Sequence, residues 1–361
     1  MIALLRSTDG NPDSRFEKYV DFLETKQLPH ITMCWDRKGV KEESHNKLYY
    51  KQKSEYGKRY GNISGLLGFN WFLFKQLWKR RKEYQVVHAC DFDTILPAVL
   101  MHLILRKRVI YDIFDWYVDS RSIHGILKYL VYGIEWVNIK CSDAVIICEP
   151  EREKQIIFHP QKLWILPNIP FFSYKLPKHA LNKKLTIGYV GILGSGRGLS
   201  NLFIYAAEHN DVEINIGGFG PLEKELKTLT HHDNIHFLGS LPYKKALEVL
   251  NGSDIIYACY EKVNPNHILA APNKYYEGLY LGHPIITTKG TIVGDKTEKY
   301  ETGYTIEENY EDLVSLLRSV TTESIEQKGK NAEILWNEKY KTYVKDFLEK
   351  EYLPYLTKCS K

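Results

Sequence analysis

Short, continuously apolar runs alternate with longer amphipathic stretches along most of the chain. In the first half the runs are MIALL (1–5), HITMCW (30–35), QVVHAC (85–90), RVIYD (108–112), DAVIIC (143–148) and LWIL (163–166). A strand whose two faces are both covered reads this way, unbroken rather than alternating. Helix-length segments at 14–26, 93–106 and 122–141 lie between them. The theme recurs in LTIGYVGIL (185–193), VEINIGG (212–218), NIHFLG (234–239), DIIYAC (254–259) and PIITT (284–288), with helices predicted near 198–209, 221–230, 242–251 and 272–282. The expected class is α/β, with two doubly wound, Rossmann-like sheets. Ligands of such sheets gather at the C-terminal ends of the strands, which predicts a site in a shared central cleft.

Length agrees with two domains, because 361 residues exceed what one core usually supports. The break is expected at 167–184, PNIPFFSYKLPKHALNKK, which has linker composition. The boundaries predicted are a first domain at 1–170, a second at 171–335, and a helical tail at 336–361 packing back on the first. Six cysteines without a C-x-x-C pair read as reduced thiols, and no segment has the pattern of a signal peptide or a spanning helix. A cytoplasmic location is the expectation. The formal net charge of +5 is uneven: residues 1–170 carry +6 and the remainder −1. An anionic partner surface therefore belongs on the first half, but nothing resembles a nucleic-acid recognition motif.

Candidate chemistry concentrates in the second half. GILGSGRGLSNL (191–202) follows a strand and opens a helix. Gly194 and Gly196 permit close approach of a ligand, the helix start offers free N–H groups, and Arg197 sits where it can grip a diphosphate. The stretch is neither a Walker loop nor a dinucleotide fingerprint, since no G-K-[ST] follows and Leu199 stands where a third glycine belongs. Taken alone it could equally be a glycine-rich turn with a solvated arginine. GGFGP (217–221) is a second strand end of this kind, through Gly218, Phe219 and Gly220. In APNKYYEGLYLGHPIITT (271–288), Pro272 fits a helix start and Gly282 its end. Lys274 and Glu277 then share one face of that helix. A carboxylate there can accept both hydroxyls of a ribose while the ammonium meets phosphate; a surface ion pair is the plainer alternative.

Together these motifs resemble the nucleotide-sugar domain of retaining GT-B glycosyltransferases, the family 4 type that makes bacterial surface and capsular polysaccharides. The matching elements run in order: G-I-L-x-x-x-R-G, G-G-x-G-P, a strand ending G-S-L-P, and P-N-K-Y-Y-E-G-L-Y-L-G-H-P-I-I. In the first half, N-P-D-S-R-F-E-K (11–18), W-D-R-K-G (35–39), V-V-H-A-C-D-F-D-T (86–94) and V-I-Y-D (109–112) resemble the same family. The resemblance implies that Glu277 binds the ribose, that Arg197 neutralises the departing diphosphate with help from Lys274, and that Gly194, Gly196, Gly218, Phe219, Gly220 and Leu241 line the donor nucleotide. It also implies retention at the sugar, no cofactor and no required metal, the donor being a nucleoside-diphosphate sugar.

Three positions depart from the family pattern. Leu269 stands where an acidic residue eight before Glu277 commonly meets the donor sugar, Ile192 where an arginine is common, and Cys90 where a histidine is expected. The sugar contacts must then come from 260–272, with His267, Ile268, Leu269 and Ala270 as candidates beside Asn264 and Asn266. In the first half, Asp91-Phe92-Asp93 is literally D-x-D, which in a different fold would mean manganese. Here the residues are expected to orient the acceptor hydroxyl or accept its proton. His88 reads as a packed histidine. Asn11 and Arg15 are expected on the acceptor side, with Arg15 near phosphate.

The segment GLLGFNWFLFKQLWKRRKEY (65–84) gathers Lys75, Lys79 and Lys82 on one side, with Leu66, Phe69, Leu73, Phe74, Leu77 and Trp78 over a wide opposite arc. Either it covers the first sheet with a solvated basic end, or it lies on an anionic leaflet. The full expectation is a hexosyltransferase acting on a lipid-linked or polysaccharide acceptor, peripheral on the inner face of the cell membrane. Two rivals remain from the sequence: a nucleotide-sugar epimerase on the same scaffold, and a non-catalytic partner subunit.

Overall fold

The computed structural model describes residues 1–10, 13–53, 63–156, 158–170 and 176–358. Asn11, the middle of the expected linker and Cys359 lie outside the described residues. The chain divides into two compact units, one of Met1–Pro167 with Val344–Lys361 and the other of Asn168–Tyr343.

The first unit is built on seven parallel strands: β1 (Ile2–Arg6), β2 (His30–Asp36), β3 (Lys47–Lys51), β4 (Val86–Cys90), β5 (Arg108–Ile113), β6 (Ala144–Ile147) and β7 (Leu163–Ile165). Their order is β3-β2-β1-β4-β5-β6-β7. One face is covered by Phe69, Leu73, Leu77, Ile95, Val99 and Val131 from three helices. The other is covered by Phe16, Tyr19 and Leu23 of helix Ser14–Thr25 and by Phe347, Leu348 and Tyr352 of the tail. Trp164 meets the rings of Phe347 and Tyr355 edge-on at 5.7 and 5.3 Å. Earlier in the tail, Trp336 and Tyr340 belong to the second unit, against Tyr280 and Tyr276. The chain thus returns to the first unit at Val344, later than the position 336 read from the sequence.

The second unit has six strands, β8 (Leu185–Ile192), β9 (Val212–Phe219), β10 (Ile235–Phe237), β11 (Ile255–Tyr257), β12 (Ile285–Thr288) and β13 (Gly303–Ile306), in the order β10-β9-β8-β11-β12-β13. All their pairings are parallel. Chain order reverses between β8 and β11, and this switch point is where loops on the two sides diverge to leave a crevice.

The apolar runs all became strands. β3 and β13 were not legible because KLYYK and GYTI are short and mix lysine, glycine, threonine and tyrosine with single aliphatic residues, so they lack the unbroken apolar signature. The helix predicted at 122–141 begins later, at Ile126, behind Gly125 at φ +64°. Pro272 and Gly282 bound helix Asn273–Leu281, with Gly282 in the left-handed conformation that frees its end.

Candidate functional site

The loop after β8 is shaped by glycines at two places where nothing larger fits. At Gly218, in β9, φ is +137° and an added Cβ would lie 1.8 Å from the Gly191 carbonyl oxygen. At Gly191 an added Cβ would lie 2.7 Å from Lys274 Nζ. The ends of β8 and β9 therefore press together, and the space beside Gly191 admits the lysine. The loop itself is pinned from the β11 side: Tyr257 donates to the Gly198 carbonyl at 2.8 Å, and the Glu261 amide donates to Gly196 at 2.9 Å.

This pinning presents Arg197 over the Tyr260 ring, its guanidinium carbon 4.5 Å from the centroid. Lys274, on the first turn of helix Asn273–Leu281, lies over the Tyr189 ring at 4.6 Å. The Tyr189 hydroxyl is turned away, donating to Ile192 at 2.6 Å. Each cation thus rests on an aromatic face. Among the described residues neither has a carboxylate within 4.0 Å. Burial pulls the Lys274 ammonium down to about 8, a shift that Glu277 opposes and Arg197 reinforces. Two like charges act on each other here with Glu277 as the one carboxylate felt by Lys274 and no direct ion pair, an arrangement that an anionic ligand stabilises.

Glu277 is one turn further along and 6% exposed. Burial raises its carboxyl, while Lys274 and a hydrogen bond from Tyr243 draw it back toward the charged form. Glu277 and Lys274 form no direct ion pair, so the surface-pair alternative falls. Tyr243, the first residue of helix Tyr243–Asn251, was not legible as a site residue. Neither were Tyr189 and Tyr260; a tyrosine at a strand end gives no sign in the sequence that a cation will rest on it.

The remaining second-unit candidates cluster close by. His267 Nδ1 lies 2.9 Å from the Glu261 carbonyl oxygen, and an added Cβ on Gly196 would touch the imidazole at 2.9 Å. Ile268, Leu269 and Ala270 follow on the same short helix and turn, which Asn264 caps. Leu241 packs against Gly217, whose Cβ would meet its methyl at 2.8 Å. Phe219 is paired in register with Ile192, and both side chains are solvent-exposed. Gly220 is held by the close Leu193 carbonyl, whereas an added Cβ on Gly194 would meet only an Ile192 methyl at 3.6 Å, an ordinary contact.

In the first unit the expected acceptor residues have other employment. Arg15 is buried, with Nη2 2.6 Å from Asp112, Nε 3.2 Å from both its oxygens, and Nη1 2.6 Å from the Leu166 carbonyl. The expectation that it meets phosphate is corrected: its fork is filled by protein. Asp91, at φ +68°, pairs with Arg6 and accepts from the Phe114 amide at 2.9 Å. Burial pushes its carboxyl up to about 6 against the pull of Arg6, which also grips Asp13 at 2.6 Å. Asp93 is 3.4 Å from Arg121. With a guanidinium on each, the D-x-D residues do not offer the pair of free carboxylates a manganese ion would need. His88 is fully buried, its Nδ1 2.7 Å from the Tyr352 hydroxyl, as a packed histidine should be. With Cys90 and Asp112 it forms a group of metal-ligating type, but Asp112 is committed to Arg15.

Residues 174–334 match the family model described as "Glycosyl transferases group 1". Solved structures agree over the whole length. WaaG, "a glycosyltransferase involved in lipopolysaccharide biosynthesis", superposes with a TM-score of 0.71 at 13% identity, covering 99% of this chain and 100% of that one. HepE from Anabaena, in complex with UDP and glucose, gives 0.69 at 12% identity over 98% and 100%. Sucrose-phosphate synthase from Thermosynechococcus elongatus gives 0.68 at 13% identity over 92% and 93%. The chain has the GT-B fold, and 174–334 is similar to the group 1 glycosyl transferases. No curated protein sequence matches the chain. In this GT-B protein, the cation pair and Glu277 all fall within the matched 174–334 segment.

Proposed function

We propose that the protein is a retaining, metal-independent glycosyltransferase that moves a hexose from a nucleoside-diphosphate sugar to a lipid-linked or polysaccharide acceptor in bacterial surface-glycan synthesis. The observation that carries this reading is the pair Arg197 and Lys274, convergent, resting on tyrosines and without carboxylate partners, one turn from buried Glu277. A diphosphate would bridge the two cations. As the glycosidic bond breaks, charge grows on the leaving phosphate oxygen, and fixed cations stabilise it most at that moment. Glu277 would accept the ribose hydroxyls, held in place by Tyr243. His267, Ile268, Leu269 and Ala270 would border the sugar. The first unit would supply the acceptor side. Among the relatives, HepE is described in complex with UDP and with UDP-glucose, so UDP is the nucleotide to test first.

The test is calorimetric titration of UDP, GDP, ADP, dTDP and CMP into the wild type and Glu277→Ala. One nucleotide should bind, weakened in the variant by about 1–3 kcal/mol as the ribose loses a charged acceptor. Affinity should be level at lower pH and fall as pH rises past about 8, because Lys274 must be an ammonium to meet phosphate. Lys274→Gln should flatten that profile. Failure of every nucleotide to bind at millimolar concentration would sink the donor site and bring forward the partner-subunit reading.

A lipid-linked acceptor requires the enzyme at a bilayer. No helix among the described residues is long and apolar enough to cross one. We therefore propose peripheral docking through 65–84. Its helix, Ile63–Lys79, buries Phe69, Leu73 and Leu77 in the core, so the core alternative accounts for one face. The other face exposes Leu67, Trp71 and Trp78, with Lys75 and Arg81 over the two tryptophan rings at 5.3 and 5.2 Å. Changing Lys79, Arg80, Arg81 and Lys82 to glutamine should reduce cosedimentation with anionic vesicles at least tenfold, about 1 kcal/mol being lost per charge. Undiminished pelleting of that variant would remove this segment from the docking surface.

A further inference from the structure

Helix Ile63–Lys79 is one of three that cover the same face of the first sheet. Beside it run helices Phe92–Leu105 and Ile126–Lys140, neighbours in that order. Their inner faces supply one continuous core through Leu73, Leu77, Ile95, Val99, Val131 and Ile139. Their outer faces are unusual for a soluble surface. On the third helix Ile126 is 82%, Leu130 60% and Ile134 46% exposed, with Leu127, Trp136 and Val137 also turned outward. On the middle helix Leu103 and Ile104 are exposed. Scattered exposed apolar residues need no explanation, but a patch continuing across three adjacent helices does.

Charge decides what the patch fits. The three helices contain two carboxylates, Asp93 and Glu135, and both are buried; Glu135 receives the Tyr111 hydroxyl at 2.9 Å. Their exposed charges are all positive. On the third helix Lys128 lies over Tyr132 at 5.3 Å and Lys140 over Trp136 at 4.7 Å, repeating the pairing of Lys75 with Trp71. Aromatic bodies with cations beside them, set among aliphatic side chains, suit the boundary between headgroups and acyl chains. A two-fold contact between copies would instead set one face with only positive exposed charges against another.

We infer that the apolar outer face of helix Ile126–Lys140 enters an anionic bilayer, together with the exposed residues of the two helices beside it. This rests on the peripheral docking proposed above and changes its centre: the basic end at 79–82 attracts the protein, and Ile126–Val137 supply the insertion. The sequence alone did not point here, because the face is apolar over positions that a core helix would also fill.

The experiment compares binding of the wild type, Leu127→Ser/Leu130→Ser/Ile134→Ser and the glutamine variant at 79–82 to vesicles of phosphatidylcholine with about one-third phosphatidylglycerol. Circular dichroism and the thermal midpoint of each protein check that the first unit remains folded. The triple serine variant should bind vesicles at least tenfold more weakly with its basic end unchanged, and should shield its tryptophans less from an aqueous quencher. If it binds as the wild type does while the glutamine variant does not, the insertion face is wrong and docking through 65–84 stands. If neither the wild type nor either variant binds vesicles, both fail. Self-association in solution that the serine changes abolish, without vesicle binding, would make the face a contact between copies and overturn the inference.

Discussion

Arg197→Ala is expected to lower kcat/KM for sugar transfer by about two to three orders of magnitude, with thermal stability close to that of the wild type. Loss of one donor aimed at a developing anion typically costs about 2.7–4 kcal/mol. The side chain is half-buried, makes no ion pair among the described residues and rests on Tyr260 at 4.5 Å, so its removal leaves no buried partner behind. The loss should fall mainly on kcat, because the charge it meets is greatest when the phosphate departs. Lys274→Ala should act in the same direction. The double variant should lose less than the sum, since one remaining cation cannot bridge a diphosphate as the pair does. Steady-state kinetics with the donor identified by calorimetry give the readout. Transfer within threefold of wild type in Arg197→Ala would remove the cation pair from the mechanism.

Arg15→Met is expected to destabilise the protein by about 3–5 kcal/mol, the usual cost of stripping one partner from a buried ion pair. Asp112 is fully buried, and the Arg15 guanidinium holds its carboxyl well below the usual carboxylate range. Without Arg15, the Tyr19 hydroxyl at 2.6 Å, His88 Nε2 at 3.6 Å, the Cys90 thiol and the field of buried Lys18 remain around it, and among the described residues no cation donates to it directly. The pH dependence should then reverse sign. In the wild type the depressed Asp112 contributes stability above the unfolded carboxylate value, lost as pH falls through its folded value. In the variant the orphaned carboxyl is raised, so its contribution is present at low pH and lost as pH rises. Denaturant midpoints at pH 5 and pH 8 measure this. Arg15→Met/Asp112→Leu should recover much of the loss; if it does not, the Arg15 effect is packing rather than charge.

Lys18 makes the same region electrostatically tight. It is buried on the helix that carries Arg15, with Nζ unpaired, and burial together with Arg15 brings its ammonium down to about 7. The element that the sequence offered as an acceptor-side loop and helix is thus an internal brace joining β5 to the strand ends.

The sequence by itself determined the α/β class, most of the strands and which second-unit residues are candidates for a site. Those follow from local rules: unbroken apolar runs, glycines where backbone passes backbone, proline and glycine bounding one helix. Arg197, Lys274 and Glu277 were legible because each sits in a motif whose spacing sets its place at a strand end or helix start. Only tertiary structure decided which charges were free. Arg15 and Arg197 are both arginines near a predicted cleft, but Asp112 arrives from a strand 97 residues away to fill one, while Tyr260 leaves the other open. Asp91 and Asp93 read alike until Arg6 and Arg121 were set beside them. The outer face of helix Ile126–Lys140 was hidden for a related reason. Hydrophobicity along a chain shows that a side chain prefers to leave water, and only the packed fold shows whether the protein has already covered it.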